Sequence, residues 1–479
     1  MPGQVVDNPR SASVSVKVTV VGGSIAGVAS AYTLQKSGHQ VTVLERTDGK
    51  SWVSYKLFRG GISGLIIWKE SWWSPPNMTR LLNQWGLGPA LDVFGQKCTQ
   101  FLFQNGESGD LIAVMKLHQQ FLKDLMADFL FIQHGDLHSM LCEKAIHEGV
   151  QFRYNSNVVY VDPDTLSVTL EGGEIVPADM VVGADGFNSL VRSTVIGKKV
   201  PETRERDVTL NFTIPIDLMR EEEDLTSLTE NTDWAIWLGD SYMLHGSIVN
   251  SGRDFSMTLG YVLPEDAPEY NEEWRDTYPL EHFNLDLEKF EPRVRKLLSM
   301  TEDITPHIYI SRPHLENFVC DRAKIALVGE AAHPLLPSGQ HNTALGIEDA
   351  ETLGCLFSGI QDIEQLSRLL SAYEELRQSR CITTQDWEKR KRIMLTLPQG
   401  QEQEQRDIEL RNAMAYEEWD HMDEETFREI WGDEMDLFMY DASEKVDDWW
   451  TKWGPLLIRG NSNRQSVMPS LQVSVSKDG

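Results

Sequence analysis

The sequence predicts an α/β fold with a parallel sheet, an inserted antiparallel sheet and a helical C-terminal region. Three observations predict it. Near the N-terminus a short β-branched run passes through glycines into a helix. Alternating apolar and polar residues fill the middle of the chain, and helical periodicity dominates beyond about residue 350. With 479 residues, the chain is long enough for about two or three domains.

Composition excludes several classes of protein. The net charge of −29 disfavours binding to nucleic acid or to anionic membranes. No apolar run reaches the length of a membrane span, and the first residues show no signal-peptide pattern. The five cysteines are scattered and never form a C-x-x-C pair, which predicts reduced thiols, a cytoplasmic location and no metal site.

The first glycine-rich loop lies between two predicted strands. The run Lys17–Val21 precedes Gly22–Gly27, a helix follows, and Gln40–Leu44 ends at Glu45. A helix N-terminus offers free N–H groups to a pyrophosphate, and an acid after the second strand accepts bonds from a ribose. This unit predicts dinucleotide binding, with NAD and FAD both open. Glu45 disfavours a ribose 2′-phosphate and therefore NADP at this loop.

Two later segments narrow the choice of dinucleotide. Asp185-Gly186 follows a buried run and precedes Ser189 and Arg192, while Gly329–Gln340 reads GEAAHPLLPSGQ. Together with Gly22–Gly27, these segments form three motifs in a fixed order. In these motifs the chain resembles the group A flavoprotein monooxygenases of the para-hydroxybenzoate and salicylate hydroxylase type. The resemblance extends from about residue 17 to residue 350 and implies a Rossmann-like FAD-binding domain.

The resemblance also implies which residues bind FAD. The cofactor-binding residues it implies are Gly22, Ser24, Ile25, Ala26, Gly27, Glu45, Arg46, Arg59, Gly60, Gly61, His134, Asp185, Glu330, Pro337, Gly339, Gln340 and Asn342. The glycine loop faces the pyrophosphate, Glu45 the adenosine ribose and Glu330 the ribityl chain. The helix after Gln340 is expected to point its N-terminus at the flavin N1–C2 carbonyl.

Three positions depart from the family pattern. Ser24 replaces a glycine, Glu330 replaces an aspartate, and His134 stands where many relatives have arginine. His134 is either a phosphate-side residue that binds more weakly than a guanidinium or a helix cap at the surface. His341, in place of another glycine, is equally open, and His333 is expected to be structural.

We divide the chain as follows. Residues 1–15 and 461–479 are expected to be disordered tails. The FAD-binding domain occupies residues 16–200 and 311–360, the substrate-binding sheet lies mainly in residues 201–310, and residues 361–460 form the helical region. That region is acidic and aromatic, and we expect it to pack through Trp419, Trp431 and Trp449.

The resemblance implies an oxygenase mechanism. Bound FAD is reduced by transient NAD(P)H and reacts with molecular oxygen to a C4a-hydroperoxyflavin, which hydroxylates a small aromatic substrate of the phenolic acid type, with oxidative decarboxylation also open. One alternative is epoxidation of an indole or prenyl group in fungal secondary metabolism. A third is a non-catalytic binder of the Rab-escort and GDI type. The protein is expected to be a monomer or a homodimer.

One candidate catalytic residue and three candidate substrate residues are predicted. Related fungal enzymes place an arginine like Arg192 at the substrate, and the alternative is a plain ion-pair arginine at a helix start. Trp237, Tyr242 and His245 recur in the alternating middle region and could line the substrate cavity. Simple packing within the sheet is the competing interpretation.

Overall fold

The computed structural model describes residues 12–49, 71–117, 119–263, 277–301, 303–320, 322, 324–336, 339–414 and 424–465. Its strands, numbered along the chain, are β1 (Lys17–Val21), β2 (Gln40–Leu44), β3 (Ser71–Ser74), β4 (Gln96–Lys97), β5 (Gln100–Asn105), β6 (Leu111–Lys116), β7 (Leu130–Gln133), β8 (Gln151–Arg153), β9 (Val158–Asp162), β10 (Ser167–Leu170), β11 (Ile175–Pro177), β12 (Met180–Gly183), β13 (Thr203–Pro215), β14 (Trp234–Gly239), β15 (Tyr242–Val249), β16 (Asp254–Val262), β17 (Thr305–Ser311) and β18 (Ile325–Leu327).

The α-helices carry most of the remaining described residues. They are α1 (Ile25–Lys36), α2 (Pro76–Gln84), α3 (Gly88–Phe94), α4 (Gln119–Asp124), α5 (His134–Glu148), α6 (Leu190–Ile196), α7 (Ile216–Met219), α8 (Thr226–Glu230), α9 (Pro292–Ser299), α10 (Asn342–Phe357), α11 (Leu366–Leu395), α12 (Gln401–Ala413), α13 (Glu424–Phe438) and α14 (Ala442–Gln465). The predicted α/β class with a helical C-terminal region is confirmed.

A five-stranded parallel sheet forms the centre of the first layer, in the order β18-β12-β1-β2-β8. Val20 in β1 pairs with Val182 on one side and Val43 on the other. These β-branched side chains are buried because helices cover the sheet. The carboxyl ends of β1, β12 and β18 lead directly into the three predicted motifs, so the sheet delivers them to one edge.

Helix α10 packs closely against α1. The hydroxyl of Thr33 in α1 donates to the carbonyl of Ala350 at 2.6 Å. A Cβ added at Gly354 would lie 2.6 Å from the Thr33 Cβ, so the glycine allows the two helices to approach. Because the third motif precedes α10, this packing fixes that motif against the first.

The second large sheet has seven strands, in the order β17-β13-β16-β15-β14-β5-β6. Most neighbours are antiparallel, but β14 and β5 pair in parallel, with Ile236 opposite Phe103. Strands β5 and β6 come from the segment that the sequence division placed in the first domain. One face of the sheet holds a core with Trp237 and Leu244, and the other holds a core with Trp234 and Ile236.

The C-terminal helices contact both layers. Trp431 of α13 and Leu410 of α12 pack against the core on the Trp234 face of the seven-stranded sheet. Trp449 of α14 packs in the core of the parallel sheet. Trp419, also predicted to pack here, lies outside the described residues. Within the described part of the chain, no helix is both long and apolar enough to span a bilayer.

Candidate active site

The glycine loop is held by contacts that leave no room for side chains. Gly22 has a φ of +103°, and a Cβ there would lie 2.4 Å from the carbonyl oxygen of Ala184. A Cβ at Gly27 would lie 2.1 Å from the Gly22 carbonyl oxygen. Only glycine therefore allows the β1–α1 turn, the start of α1 and the end of β12 to pack this closely.

Ser24, which replaces a family glycine, is the N-cap of α1. Its Oγ accepts from the Gly27 amide at 3.4 Å and donates to the Ala184 carbonyl at 3.1 Å. Within the described residues, the amides of Ile25 and Ala26 have no acceptor, as expected for the first turn of a helix. The serine thus supports the loop, and two free N–H groups remain for an anion.

Glu45 is buried at the end of β2, as the spacing predicted. Its Oε2 accepts from the Gly23 amide and its Oε1 from the Thr47 amide, both at 2.8 Å. These two bonds fix the carboxylate beside the glycine loop. The adjacent Arg46 side chain is exposed. The roles of both residues toward the adenosine half of FAD stay predictions.

His134 is the first residue of α5 and is half-buried. Its ring stacks on that of His138 with centroids 6.5 Å apart, and His138 Nε2 lies 2.7 Å from the carbonyl oxygen of Gly23. Burial, with a smaller contribution from His138, lowers the pKa of His134 to about 3. The ring is therefore neutral at physiological pH, beside the glycine loop but without the charge of an arginine.

Asp185 organises the second motif. Its Oδ1 accepts from the Ser189 hydroxyl at 2.5 Å, and its Oδ2 accepts from the amides of Leu190 at 2.7 Å and Val191 at 3.1 Å. These bonds cap the N-terminus of α6. Asp185 thereby fixes the Asp185-Gly186 turn to the start of α6, and its role toward FAD stays a prediction.

Arg192 is buried and bonded to backbone carbonyls. Its Nε donates to Ala331 at 2.7 Å, Nη1 to Phe187 at 2.9 Å and Nη2 to Glu330 at 2.5 Å. Burial, with Arg312 nearby, lowers the pKa of the guanidinium to about 10, so it remains charged at neutral pH. The side chain joins the second motif to the third. Its catalytic role stays a prediction.

The third motif lies against the other two. Gly329 has a φ of +58°, and a Cβ there would lie 2.7 Å from the Cβ of Ala26. A Cβ at Gly186 would lie 3.9 Å from Glu330 Oε2. Glu330 Oε1 accepts from Asn342 Nδ2 at 2.7 Å. The three segments, distant in sequence, therefore converge at one place.

The N-terminus of α10 is capped from α11. Glu388 Oε1 accepts from the amide of Gln340 at 2.8 Å and from the amide of His341 at 3.1 Å, and it lies 2.7 Å from His341 Nδ1. The amide of Gly339 donates to the carbonyl of Leu336 at 2.7 Å. His341, left open by the sequence, is thus fully buried and bonded to Glu388.

Four predicted cofactor residues lie outside the described residues, namely Arg59, Gly60, Gly61 and Pro337. Of the others, His134 lies next to His138 beside the glycine loop, and Gly339 and Gln340 lie in the loop before α10. Apart from the exposed Arg46, the rest lie in the segments that converge, and the role of each toward FAD stays a prediction. Sequence reasoning missed Glu388, because it lies on a helix that carries no motif and approaches the loop only in the folded protein.

A buried charge network holds α10 in place. Arg377 of α11 donates from Nε to Asp349 Oδ1 at 2.7 Å and from Nη1 to Glu348 Oε2 at 2.8 Å. Asp349 Oδ2 accepts from the Gly329 amide at 2.9 Å and lies 2.6 Å from His333 Nε2. Although burial opposes ionisation, the neighbouring cations keep the pKa of both carboxyls below the usual range.

His333 is structural in this arrangement, as expected. Its ring, the Asp349 carboxylate and the Cys381 thiol have potential metal-binding atoms within 4.8 Å of one another. However, Arg377 already occupies the other oxygen of Asp349 and lies 3.8 Å from Cys381 Sγ. The cluster thus already contains a cation, and we assign no metal to it.

A cavity of about 720 Å³ lies between the seven-stranded sheet and helices α11, α12 and α13. It reaches the third motif at Leu336 and Gln340. Its aromatic wall consists of Trp73, Phe101, Phe103, Trp234, Trp387, Trp431 and Phe438. A space of this size, lined mainly by apolar groups and adjoining the third motif, has the properties of a substrate cavity.

Two of the three predicted substrate residues lie on the face of the sheet opposite this cavity. Trp237 is buried in the opposite core, where its Nε1 donates to Glu291 at 2.8 Å, and Tyr242 packs there against Phe290. Side chains alternate across a strand, so a shift of one residue exchanges the faces. The cavity instead receives Trp234, Ile236 and Met243 from these strands.

His245, the third predicted substrate residue, lies on the same face as Ile236, its partner in β14. Its ring contacts that of Trp234 edge-on, with centroids 5.3 Å apart. Burial lowers the pKa of His245 to about 4, so the ring is neutral. Contact between His245 and the substrate stays a prediction.

The fold and the converging motifs define a dinucleotide-binding flavoprotein, and comparisons with known proteins agree. A profile of the FAD binding domain matches residues 15–387, so the chain belongs to that family. It is a flavin-dependent monooxygenase of the aromatic hydroxylase type, with FAD as cofactor and NAD(P)H and molecular oxygen as cosubstrates.

Individual relatives show the same class. The chain is 28% identical over 363 residues to the FAD-dependent monooxygenase cfoG of Aspergillus candidus, covering 72% of this chain and 78% of the relative. It is 24% identical to a 6-hydroxynicotinate 3-monooxygenase of Pseudomonas fluorescens, covering 72% and 83%. A salicylate hydroxylase substrate complex superposes with a TM-score of 0.69 at 18% identity, covering 90% of this chain and 97% of that one.

The residues present fit FAD. The two free amides at the start of α1 suit a pyrophosphate. Asn342 Oδ1 is buried and has no hydrogen-bond partner among the described residues, at the place where the third motif enters α10. A buried polar atom without a hydrogen-bond partner points to a ligand that supplies the missing bond.

Proposed function

We propose that the protein transfers one oxygen atom to an electron-rich aromatic substrate bound in the cavity beneath the seven-stranded sheet. The observation that carries this proposal is the position of the cavity, which adjoins the third motif at Gln340. The aromatic wall of the cavity supports a flat, apolar substrate. A dry site also protects a reactive oxygen species from water.

The chain's own residues have separate roles in this proposal. The amides of Ile25 and Ala26 hold the pyrophosphate, Glu45 the adenosine ribose, and Glu330 with Asn342 the ribityl chain. When bound, FAD supplies electron transfer from NAD(P)H and the activation of oxygen. The cavity wall orients the substrate ring and excludes water.

Two substrate classes remain in the proposal. The sequence predicted a phenolic acid, whose ring hydroxylation could proceed with loss of the carboxylate. The second is an indole or prenyl-bearing compound that undergoes epoxidation. The cavity volume of about 720 Å³ supports the second class, because a single substituted ring would fill only part of it. Membership of the FAD-binding family argues against the third alternative, a non-catalytic Rab-escort-like binder.

A screen of stimulated NAD(P)H consumption tests the function. Phenolic acids and larger indole compounds are added singly to the yellow holoenzyme, and products are analysed by mass spectrometry under ¹⁸O₂. We expect one class to accelerate NAD(P)H oxidation and to gain one ¹⁸O atom. Oxidation without label in any product would contradict the proposal.

The Arg192→Ala variant tests the predicted role of that arginine. We expect it to retain FAD but to uncouple NAD(P)H oxidation from product by about tenfold or more, because two hydrogen bonds between the second and third motifs and one within the second motif are lost. Coupling is measured as product formed per NAD(P)H oxidised.

Arg192→Lys is the matched variant. Lysine keeps the positive charge, but its ammonium cannot reproduce the hydrogen bonds that the planar guanidinium donates to three separate carbonyls. We therefore expect lysine to restore little of the coupling. Full coupling in Arg192→Ala would remove Arg192 from the mechanism, and full rescue by lysine would show that only its charge is needed.

A further inference from the structure

Glu388 is an acidic side chain in the wall of the cavity. It lies on α11, contacts the loop before α10 and is only 7% exposed. Its Oε1 accepts hydrogen bonds from the backbone amides of Gln340 and His341 and lies 2.7 Å from His341 Nδ1. The start of a helix favours a negative charge, so these donors hold an anionic carboxylate in one orientation.

The second oxygen of Glu388 is available to a ligand. Within the described part of the chain, Oε2 has no hydrogen-bond partner, and it is not fully buried. His341, which fixes the carboxylate, is itself held among the rings of Trp73, Trp387 and Phe438. A rigid acceptor with one unused oxygen thus lies at the end of the cavity that adjoins the third motif.

The cations of the same cavity are already paired. Lys391 forms an ion pair with Glu434, Arg392 with Asp207 at 3.1 Å, and Arg406 with Asp407 at 2.7 Å. Among the described lining residues, Lys391, Arg392 and Arg406 are therefore each neutralised by a carboxylate, although the buried Nη1 of Arg392 has no hydrogen-bond partner. Glu388 differs in that its unpaired atom is a carboxylate oxygen, which can only accept a hydrogen bond.

We propose that Glu388 determines substrate specificity by accepting a hydrogen bond from an O–H or N–H group on a large aromatic substrate. The inference rests on the proposed function, since it takes this cavity as the substrate site. It narrows the substrate to a phenol, indole or amine without a ring carboxylate. Glu388 orients that donor beside the third motif, and the aromatic wall holds the remaining rings.

Three bicyclic probes of matched shape test the proposal in binding experiments without NAD(P)H. These are 2-naphthol, which has a donor, 2-methoxynaphthalene, which has none, and 2-naphthoate, which is an anion. Binding to the holoenzyme is followed through the flavin spectrum and tryptophan fluorescence. We expect 2-naphthol to bind about ten- to a hundredfold more tightly than either other probe, as for a hydrogen bond to a charged group.

Glu388→Gln tests the residue itself. Its amide oxygen can still accept from the α10 amides, which places the NH₂ group toward the cavity. The preference for 2-naphthol should therefore disappear, while the flavin spectrum remains. Glu409→Gln is the control, since Glu409 lines the cavity but is exposed and bonded to Gln405. It should keep the wild-type preference.

Two results would overturn the proposal. One is equal binding of the three probes by the wild-type protein, which needs no variant. The other is an unchanged preference for 2-naphthol in a Glu388→Gln variant that retains its flavin. Failure of the proposed function is a different result, namely absence of ¹⁸O from all products, and it is measured independently of these affinities.

Discussion

Replacing Gly27 by alanine is expected to abolish FAD binding at ordinary cofactor concentrations. The new Cβ would lie 2.1 Å from the Gly22 carbonyl oxygen and 3.0 Å from the Ala184 Cβ. Backbone atoms cannot rotate away, so the β1–α1 turn must move and its amides lose their alignment. Overpacking of this kind costs roughly 3 kcal/mol, which corresponds to about a hundredfold weaker binding. The purified variant should be colourless, and titration with FAD measures the loss.

Gly172→Ala is the matched control for the Gly27→Ala variant. Gly172 lies in the turn between β10 and β11, and an added Cβ would meet no atom within 4 Å. The control should bind FAD with the wild-type affinity. If Gly27→Ala also remained yellow with unchanged affinity, the assignment of the first loop to the pyrophosphate would be wrong.

Replacing Arg377 by methionine is expected to cost the protein about 3–5 kcal/mol of unfolding free energy. The substitution keeps much of the side-chain volume but leaves Glu348 and Asp349 short of their shared cation in a fully buried site. Arg380 still pairs with Glu348 and His333 with Asp349, but each carboxylate loses a short charged hydrogen bond in an interior that cannot solvate it. Urea unfolding followed by tryptophan fluorescence measures the change at pH 7. Loss of FAD should accompany it, since Asp349 also holds the Gly329 amide.

Arg390→Met provides the comparison on the same helix. Arg390 lies 3.4 Å from Asp433, with both side chains mostly exposed, so its ion pair should contribute at most about 1 kcal/mol. An Arg377→Met variant as stable as Arg390→Met would show that the buried network does not stabilise α10.

Sequence reasoning succeeded where short-range geometry dictates structure. The glycine loop, the acid at residue 45 and the Asp185-Gly186 turn are each specified by a few neighbouring residues, because a tight turn before a helix tolerates few side chains. The β10–β11 hairpin is another locally specified feature, with Val168 opposite Val176 across the glycine turn. These local rules predicted the α/β layer before any long-range contact was known.

The same reasoning failed for side-chain orientation in the second sheet. Trp237 and Tyr242 were chosen from an alternating pattern, but both faces of this sheet are buried, one by a core and the other by the C-terminal helices. Hydrophobic alternation cannot separate two apolar faces. Only the positions of α11 to α13 show that Trp234 and Ile236 face the cavity.

Sequence by itself predicted the α/β fold and FAD as the cofactor, because each of the three motifs is a local backbone device and their order resembles that of one flavoprotein family. Tertiary structure alone decided which side chains face the cavity and which charges near it remain unpaired. Those properties depend on contacts between residues such as Glu388 and Gln340, which are 48 positions apart. Burial and charge pairing result from packing between distant elements, and a local sequence pattern does not encode that packing.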